Sequence, residues 1–190
     1  PLHRYERLAP LLHNLRFIKR DVEVALLQKA CDITEAGFRR VLGFLKPGVT
    51  EYEVEAEFLH EFIRRRSKGF AYPPIIASGI NNCVLHYLEN DQTCEEGDLL
   101  LLDVAAEYAN YNADMTRTIP IGGRFTDRQK DVYNAVLRVF RNACSMLRPG
   151  LMLKDYQKDV GKSVEEELIK LGLLEADKVK DQDEDEPLYK

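Results

Sequence analysis

No apolar run in this 190-residue chain is long enough to cross a membrane; Leu99 to Leu102, as long as any, is the length of a strand. An excess of positive charge is missing too. Lys and Arg number 27 against 32 Asp and Glu, a net charge of −5, which argues against a nucleic-acid or anionic-membrane surface. The opening PLHRYERLAP has no apolar signal core, so nothing points to secretion. Cysteine is sparse: Cys31, Cys83, Cys94 and Cys144 form no CxxC pair and lie outside metal-ligand spacing of any histidine. Reduced thiols in a cytoplasmic protein are expected. Histidine is confined to the first half, as His3, His13, His60 and His86. What is present is a globular balance, 45% hydrophobic and 31% charged, at about the size of one domain.

The periodicity of apolar residues predicts one helix pair used twice. The first helix runs from near Asp21 to about Phe44, with Ala25, Leu26, Ala30, Ile33, Phe38, Val41 and Leu45 on its apolar face. It stops at Pro47-Gly48, where neither residue suits a helix interior. The next opens at Thr50-Glu51-Tyr52-Glu53, a capping box, and buries Val54, Phe58 and Phe62. The second pair opens at Thr126 to Gln129 with the same chemistry. It runs through Val132, Val136, Val139, Phe140 and Leu147 to Pro149-Gly150, and continues with Tyr156, Val160 and Val164. A shift of 102 residues lays the first pair on the second, Phe38 on Phe140 and Pro47-Gly48 on Pro149-Gly150.

Strand signals lie between the pairs. Tyr72 to Ser78 reads as a short strand with prolines at its start, and Asn81 to Tyr87 as a turn with a short apolar segment. Two stretches, GDLLLLDVAAEY and YNADMTRTIPI, read as a hairpin. No second hairpin follows the second helix pair; the chain closes on an acidic, polar tail expected to be mobile. The chain is therefore expected to be cut from a longer one.

Asp103 ends the apolar run of the hairpin, and Asp114 follows eleven residues later. A turn centred on Tyr108 and Ala109 sets them opposite each other on one face. Two facing carboxylates at the end of an apolar strand repel, and a divalent cation between them relieves the conflict. Two aspartates at this spacing are common, and a solvated hairpin end is the plainer alternative. The alternation that follows puts Thr116 and Thr118 on the face of Asp114 and turns Arg117 away, towards a structural ion pair.

AYPPIIASGINNCVLHY, GDLLLLDVAAEY and NADMTRTIPIGGRFTDRQKDVYNAVL together resemble the catalytic domain of Xaa-Pro aminopeptidases. These are metallopeptidases of the pita-bread fold, an α+β architecture of two related halves shared with prolidase, methionine aminopeptidase and creatinase. The resemblance covers about Arg16 to Leu171. It implies an incomplete pita-bread fold, with two related helix pairs around an antiparallel sheet and the second hairpin missing. Residues 1–15 are then a linker from a preceding domain and 16–175 a partial catalytic domain. Its first repeat is 16–123 and the helical part of its second is 124–175; 176–190 is the acidic tail.

The family holds two divalent ions with two aspartates, a histidine and two glutamates. The resemblance implies that Asp103 chelates one ion, that Asp114 bridges both, and that His86 contacts the substrate and steadies the tetrahedral intermediate. A histidine after apolar residues is otherwise more often a satisfied core residue. The remaining three ligands match nothing in this chain. Where relatives usually have Asp-x-Gly, this chain has Asp103-Val104-Ala105, which bears on pocket shape. His3, His13 and His60 are expected to be non-functional, and Arg64 to Arg66 a solvated helix end.

The activity so implied is hydrolysis of the N-terminal Xaa-Pro bond of peptides with proline at the second position. Manganese is the metal most often implied, with cobalt, zinc or iron admitted. With two ligands only, the chain itself is expected to be inactive and to hold metal weakly. A half-sheet exposing an edge and an apolar face is expected to favour a homodimer. Other readings are a metal-free pseudo-enzyme that binds peptides, histones or RNA, and creatinase-like chemistry without the metal pair.

Overall fold

Pro47 and Gly48 end the first long helix, and the capping box at Thr50 starts the next. In the computed structural model, which describes residues 6–180, 182 and 187–189, these are α2 (Asp21–Phe44) and α3 (Glu51–Arg64). Gly48 takes φ 90°, and its amide donates to Cys94 O at 2.9 Å. Glu53 Oε2 accepts from the Thr50 amide at 2.7 Å and hydroxyl at 2.9 Å. A preceding helix, α1 (Leu8–Phe17), occupies part of the stretch expected as a linker; none of its residues is buried. The chain divides into two units, Pro1–Arg124 and Phe125–Lys190.

In the first unit α2 and α3 pack through aromatic side chains. Phe38 meets Phe58 edge-on at 5.1 Å, and Phe62 meets Phe70 at 5.3 Å. Gly37 permits this approach, since a Cβ there would lie 2.7 Å from Phe62 and 2.8 Å from Phe58. Val54, Phe58 and Phe62 are fully buried, as are Ala30, Ile33 and Val41. The expected apolar face of α2 is too long at its start, where Ala25 is exposed. Thr34, buried mid-helix, donates to Ala30 O at 2.8 Å and accepts the Ala106 amide at 2.9 Å, tying α2 to the β region.

Three strands form the antiparallel sheet β1-β2-β5: β1 (Ile75–Ser78), β2 (Leu99–Asp103) and β5 (Thr116–Pro120). A 3₁₀ turn, Gly79–Cys83, follows β1. The short strands β3 (Glu107–Tyr108) and β4 (Tyr111–Asn112) make the hairpin tip. Leu100 and Leu102 are buried while Leu99, Leu101 and Asp103 alternate to the half-buried face. The observed register differs from the expected one by a residue at the turn. Tyr108 pairs with Tyr111, and Asp103 with Thr116 rather than Asp114. The turn residues are Ala109 and Asn110, both at positive φ, 51° and 67°. A two-residue hairpin turn of this kind needs left-handed backbone at both centres. Tyr108, packed against the core, stays in the strand. Because the shift keeps the parity of the ladder, Asp114 still shares a face with Thr116. The ion pair expected of Arg117 is not formed among the described residues; its guanidinium donates to the Thr116 carbonyl at 2.7 Å.

The second unit repeats the helix pair as α4 (Asp127–Met146) and α5 (Leu153–Lys170). Leu147 caps α4 as Leu45 caps α2, and Met152 precedes α5 as Thr50 precedes α3, each shifted by 102 residues. The stripe behaves differently here. Val136, Phe140 and Leu147 are 63%, 54% and 62% exposed, because no strand accompanies this pair among the described residues. The tail, expected to be mobile, begins with α6 (Ala176–Lys180); most of the rest lies outside the described residues.

Charge fastens α4 to α5. Arg138 donates two hydrogen bonds to Glu167 Oε2, at 3.0 and 2.6 Å, and Lys170 donates to Oε1 at 2.9 Å. The Arg138 and Lys170 bonds hold the Glu167 carboxyl down from its ordinary 4.5 to about 2. A depressed carboxyl stabilises the fold above its unfolded pKa, and that contribution fades as pH falls through the folded one. Glu167→Gln is therefore expected to lower the urea midpoint at pH 7. The difference from the parent should shrink between about pH 4.5 and 2; a gap independent of pH would refute this.

Candidate metal centre

The leucine alternation of β2 decides which way Asp103 points. With Leu100 and Leu102 held in the core, Asp103 is turned to the opposite face, half-buried, between Ile75 of β1 and Thr116 of β5. Asp114 lies two residues before Thr116, on the same face and exposed. Both carboxylates converge on one group. The Tyr72 hydroxyl stands 2.7 Å from Asp103 Oδ1 and 3.2 Å from Asp114 Oδ1. A phenol has one proton to donate, so the two acids share a single donor, with Asp103 the nearer. Burial, and then the two carboxylates, push the Tyr72 phenol far above its ordinary value. It remains O–H and acts as a hydrogen-bond donor.

Tyr72 was not singled out by sequence reasoning, which took YPP only as the start of a strand. The register holds the signal: Ile75 pairs with Asp103, and Tyr72 stands three residues earlier on the same segment. Ala71 N donates to Ala105 O at 2.8 Å, which anchors that segment beside the hairpin. Ala105 is buried with Ala30 and Ala113. It is not itself in the pocket lining, but Tyr72, which is, packs against the cluster that contains it.

Asp103, Asp114 and Tyr72 line a pocket of about 450 Å³ together with His86, Leu88, Pro73 and Ile75. His86 is exposed and sits at φ 57°, a left-handed conformation uncommon outside glycine. His13 and His60 are exposed elsewhere, and His3 lies outside the described residues. Arg64, Arg65 and Arg66 are exposed, as expected of a solvated helix end, and Arg64 and Arg65 pair with the buried carboxylate of Glu61.

The donor set fits a hard divalent cation in kind: carboxylate oxygens, close enough to share one proton donor. It falls short in number. No group of three or more His, Cys, Asp or Glu side chains able to hold a metal exists among the described residues. Asp103 and Asp114 bring two carboxylates to one pocket, fewer donors than a tight divalent site requires.

Residues 25–182 match the model of a family described as metallopeptidase family M24. Over 168 residues the chain is 37% identical to the Xaa-Pro aminopeptidase of Escherichia coli K12, covering 88% of this chain and 38% of that protein. Among solved structures it is similar to proline aminopeptidase P II from Yersinia pestis, with TM-score 0.86 and 37% identity. The match covers 89% of this chain and 39% of that one. It is also similar to zinc-substituted Escherichia coli aminopeptidase P in complex with product, with TM-score 0.85 and 35% identity over 94% of this chain and 39% of that one. The chain spans about two-fifths of the length of these relatives.

Outer groups that hydrogen-bond a metal's carboxylates commonly change affinity by about 10- to 100-fold when removed. Tyr72→Phe is expected to weaken Mn²⁺ binding by about 10-fold with the far-ultraviolet circular dichroism unchanged. Calorimetry showing equal affinity in the two chains would refute the role given to the hydroxyl.

Proposed function

This chain belongs to metallopeptidase family M24 and carries part of its pita-bread fold, and we propose that it is the portion of a Xaa-Pro aminopeptidase that supplies two metal-holding carboxylates and one substrate-contacting histidine. The observation that carries the reading is the convergence of Asp103 and Asp114 on the Tyr72 hydroxyl in the pocket that His86 lines. Asp103 and Asp114 would hold divalent metal together with a histidine and two glutamates that have no counterpart in this chain. The bound metal supplies Lewis acidity and an activated water. Manganese suits the hard oxygens best, and cobalt, zinc or iron fit the same donors.

The chain's own residues have separate tasks. Tyr72 orients both carboxylates through its one proton. His86 offers a ring N–H to the oxygen that gains negative charge when the peptide carbonyl before proline is attacked. Leu88, Pro73 and Ile75 give the pocket an apolar wall. The substrate is a peptide with proline at the second position. Four free thiols, three of them exposed, support a cytoplasmic setting. No helix among the described residues is long and apolar enough to cross a membrane.

With two of the five ligands, the 190-residue chain by itself should bind Mn²⁺ weakly and hydrolyse no Xaa-Pro peptide. Asp103→Asn and Asp114→Asn should each abolish the residual Mn²⁺ binding. Turnover by the purified chain, or undiminished binding in both variants, would overturn the assignment. The open α4 stripe of Val136, Phe140 and Leu147 supports self-association. Sedimentation should find a dimer at high concentration, and a monomer at every concentration would count against it.

A further inference from the structure

Glu51, the first residue of α3, is fully buried, and no basic side chain bonds to it among the described residues. It is satisfied by four donors instead. Oε1 accepts the Ser78 amide and hydroxyl, each at 2.7 Å. Oε2 accepts the Tyr87 hydroxyl at 2.7 Å and the Gln92 amide at 3.0 Å. The Glu51 amide donates to Gln92 O at 2.9 Å. One carboxylate therefore ties together the start of α3, the end of β1 and the segment that follows His86.

Asn90 reinforces the same segment. It accepts the Ile76 amide at 3.0 Å and donates to Pro74 O at 3.0 Å and Glu55 at 2.9 Å. At the other end Asn82 donates to Gly79 O and Leu99 O. Between these anchors Val84, Leu85 and His86 are exposed, Leu85 by 87%. No hydrogen bond holds the His86 ring among the described residues. Its position over the pocket is set by its backbone, and left-handed backbone in a histidine persists only where the surroundings over-determine it. The nearest fixed point is the adjacent residue, Tyr87, whose ring is buried.

We propose that Glu51 and Tyr87 are positioning residues for His86: the buried carboxylate grips the Tyr87 hydroxyl, and that grip holds the left-handed His86 backbone over the carboxylate pocket. A carboxylate is costly to bury, and four donors gathered for it from three segments mark a junction rather than a filler of space. Burial and the Glu51 bond push the Tyr87 phenol far above its ordinary value, which keeps the gripping proton in place. The inference rests on the reading of His86 as the group that meets the substrate.

The test uses the labelled 190-residue chain in solution. Tyr87→Phe keeps the ring and removes one hydrogen bond. Glu51→Gln keeps the shape but leaves a single acceptor oxygen, so two of the four bonds lose their acceptor. In the parent, the His86 amide should show an order parameter of about 0.85, falling below about 0.6 in Tyr87→Phe. The α2 and α3 amides and the urea midpoint should hold, which separates positioning from a general structural role. The double variant should loosen His86 no more than Glu51→Gln alone, since both act through one contact. His86 as ordered in Tyr87→Phe as in the parent overturns the proposal, and that variant suffices if Glu51→Gln fails to fold. Added Mn²⁺ judges the site separately. It should broaden signals of Tyr72 and His86 in the parent, and His86 less in Tyr87→Phe. No broadening at Tyr72 would refute the metal reading, while the order parameters still decide the clamp.

Discussion

The parity of β2 is the constraint on which the site depends. Leu100 and Leu102 are drawn into the aromatic layer of α2 and α3, and a strand that commits alternate residues to a core has no freedom left for the others. Asp103 must then face away. A slip of one residue would bury the carboxylate and expose the leucines, so the register is held by the full apolar contact of Phe58, Phe62, Ile33 and Val41. The hydrophobic effect places the acid by placing its neighbours.

From that fixed point the pocket is assembled by pairing. Ile75 opposite Asp103 brings the Tyr72 segment alongside, and Thr116 opposite Asp103 brings Asp114 to the same face. The outer edge of β1 would present unpaired amides, and side chains take the place of a neighbouring strand. Asn90 accepts the Ile76 amide and Glu51 the Ser78 amide. Those two side chains also fasten the segment that carries His86, so closing a sheet edge and shaping the pocket are one arrangement.

The two helix pairs offer an internal comparison. They share cap positions, turn geometry and the spacing of apolar residues, with Gly48 and Gly150 both at left-handed φ. In the first, the stripe is buried beside a sheet; in the second, with no strand among the described residues, it stands open, and the Glu167 ion cluster ties helix to helix. Local sequence is enough to form the helices in both cases. Burial needs a partner surface, which among the described residues only the first pair has.

What the sequence determined alone follows from interactions that are short in range. Helix limits at Asp21 and Phe44, the capping boxes at Thr50 and Thr126, the repeat, and the alternation that sends Asp103 and Asp114 to one face could all be read, because caps and periodicity act within a few residues. The shift of the turn to Ala109 and Asn110 could not, since it depends on Tyr108 finding the core. Tyr72 between the two carboxylates, and Glu51 joining Ser78, Tyr87 and Gln92, were likewise decided only in three dimensions. Hydrogen bonds that span 27 to 42 residues leave no periodic trace along the chain. They exist only once the apolar core has brought distant segments to bonding distance.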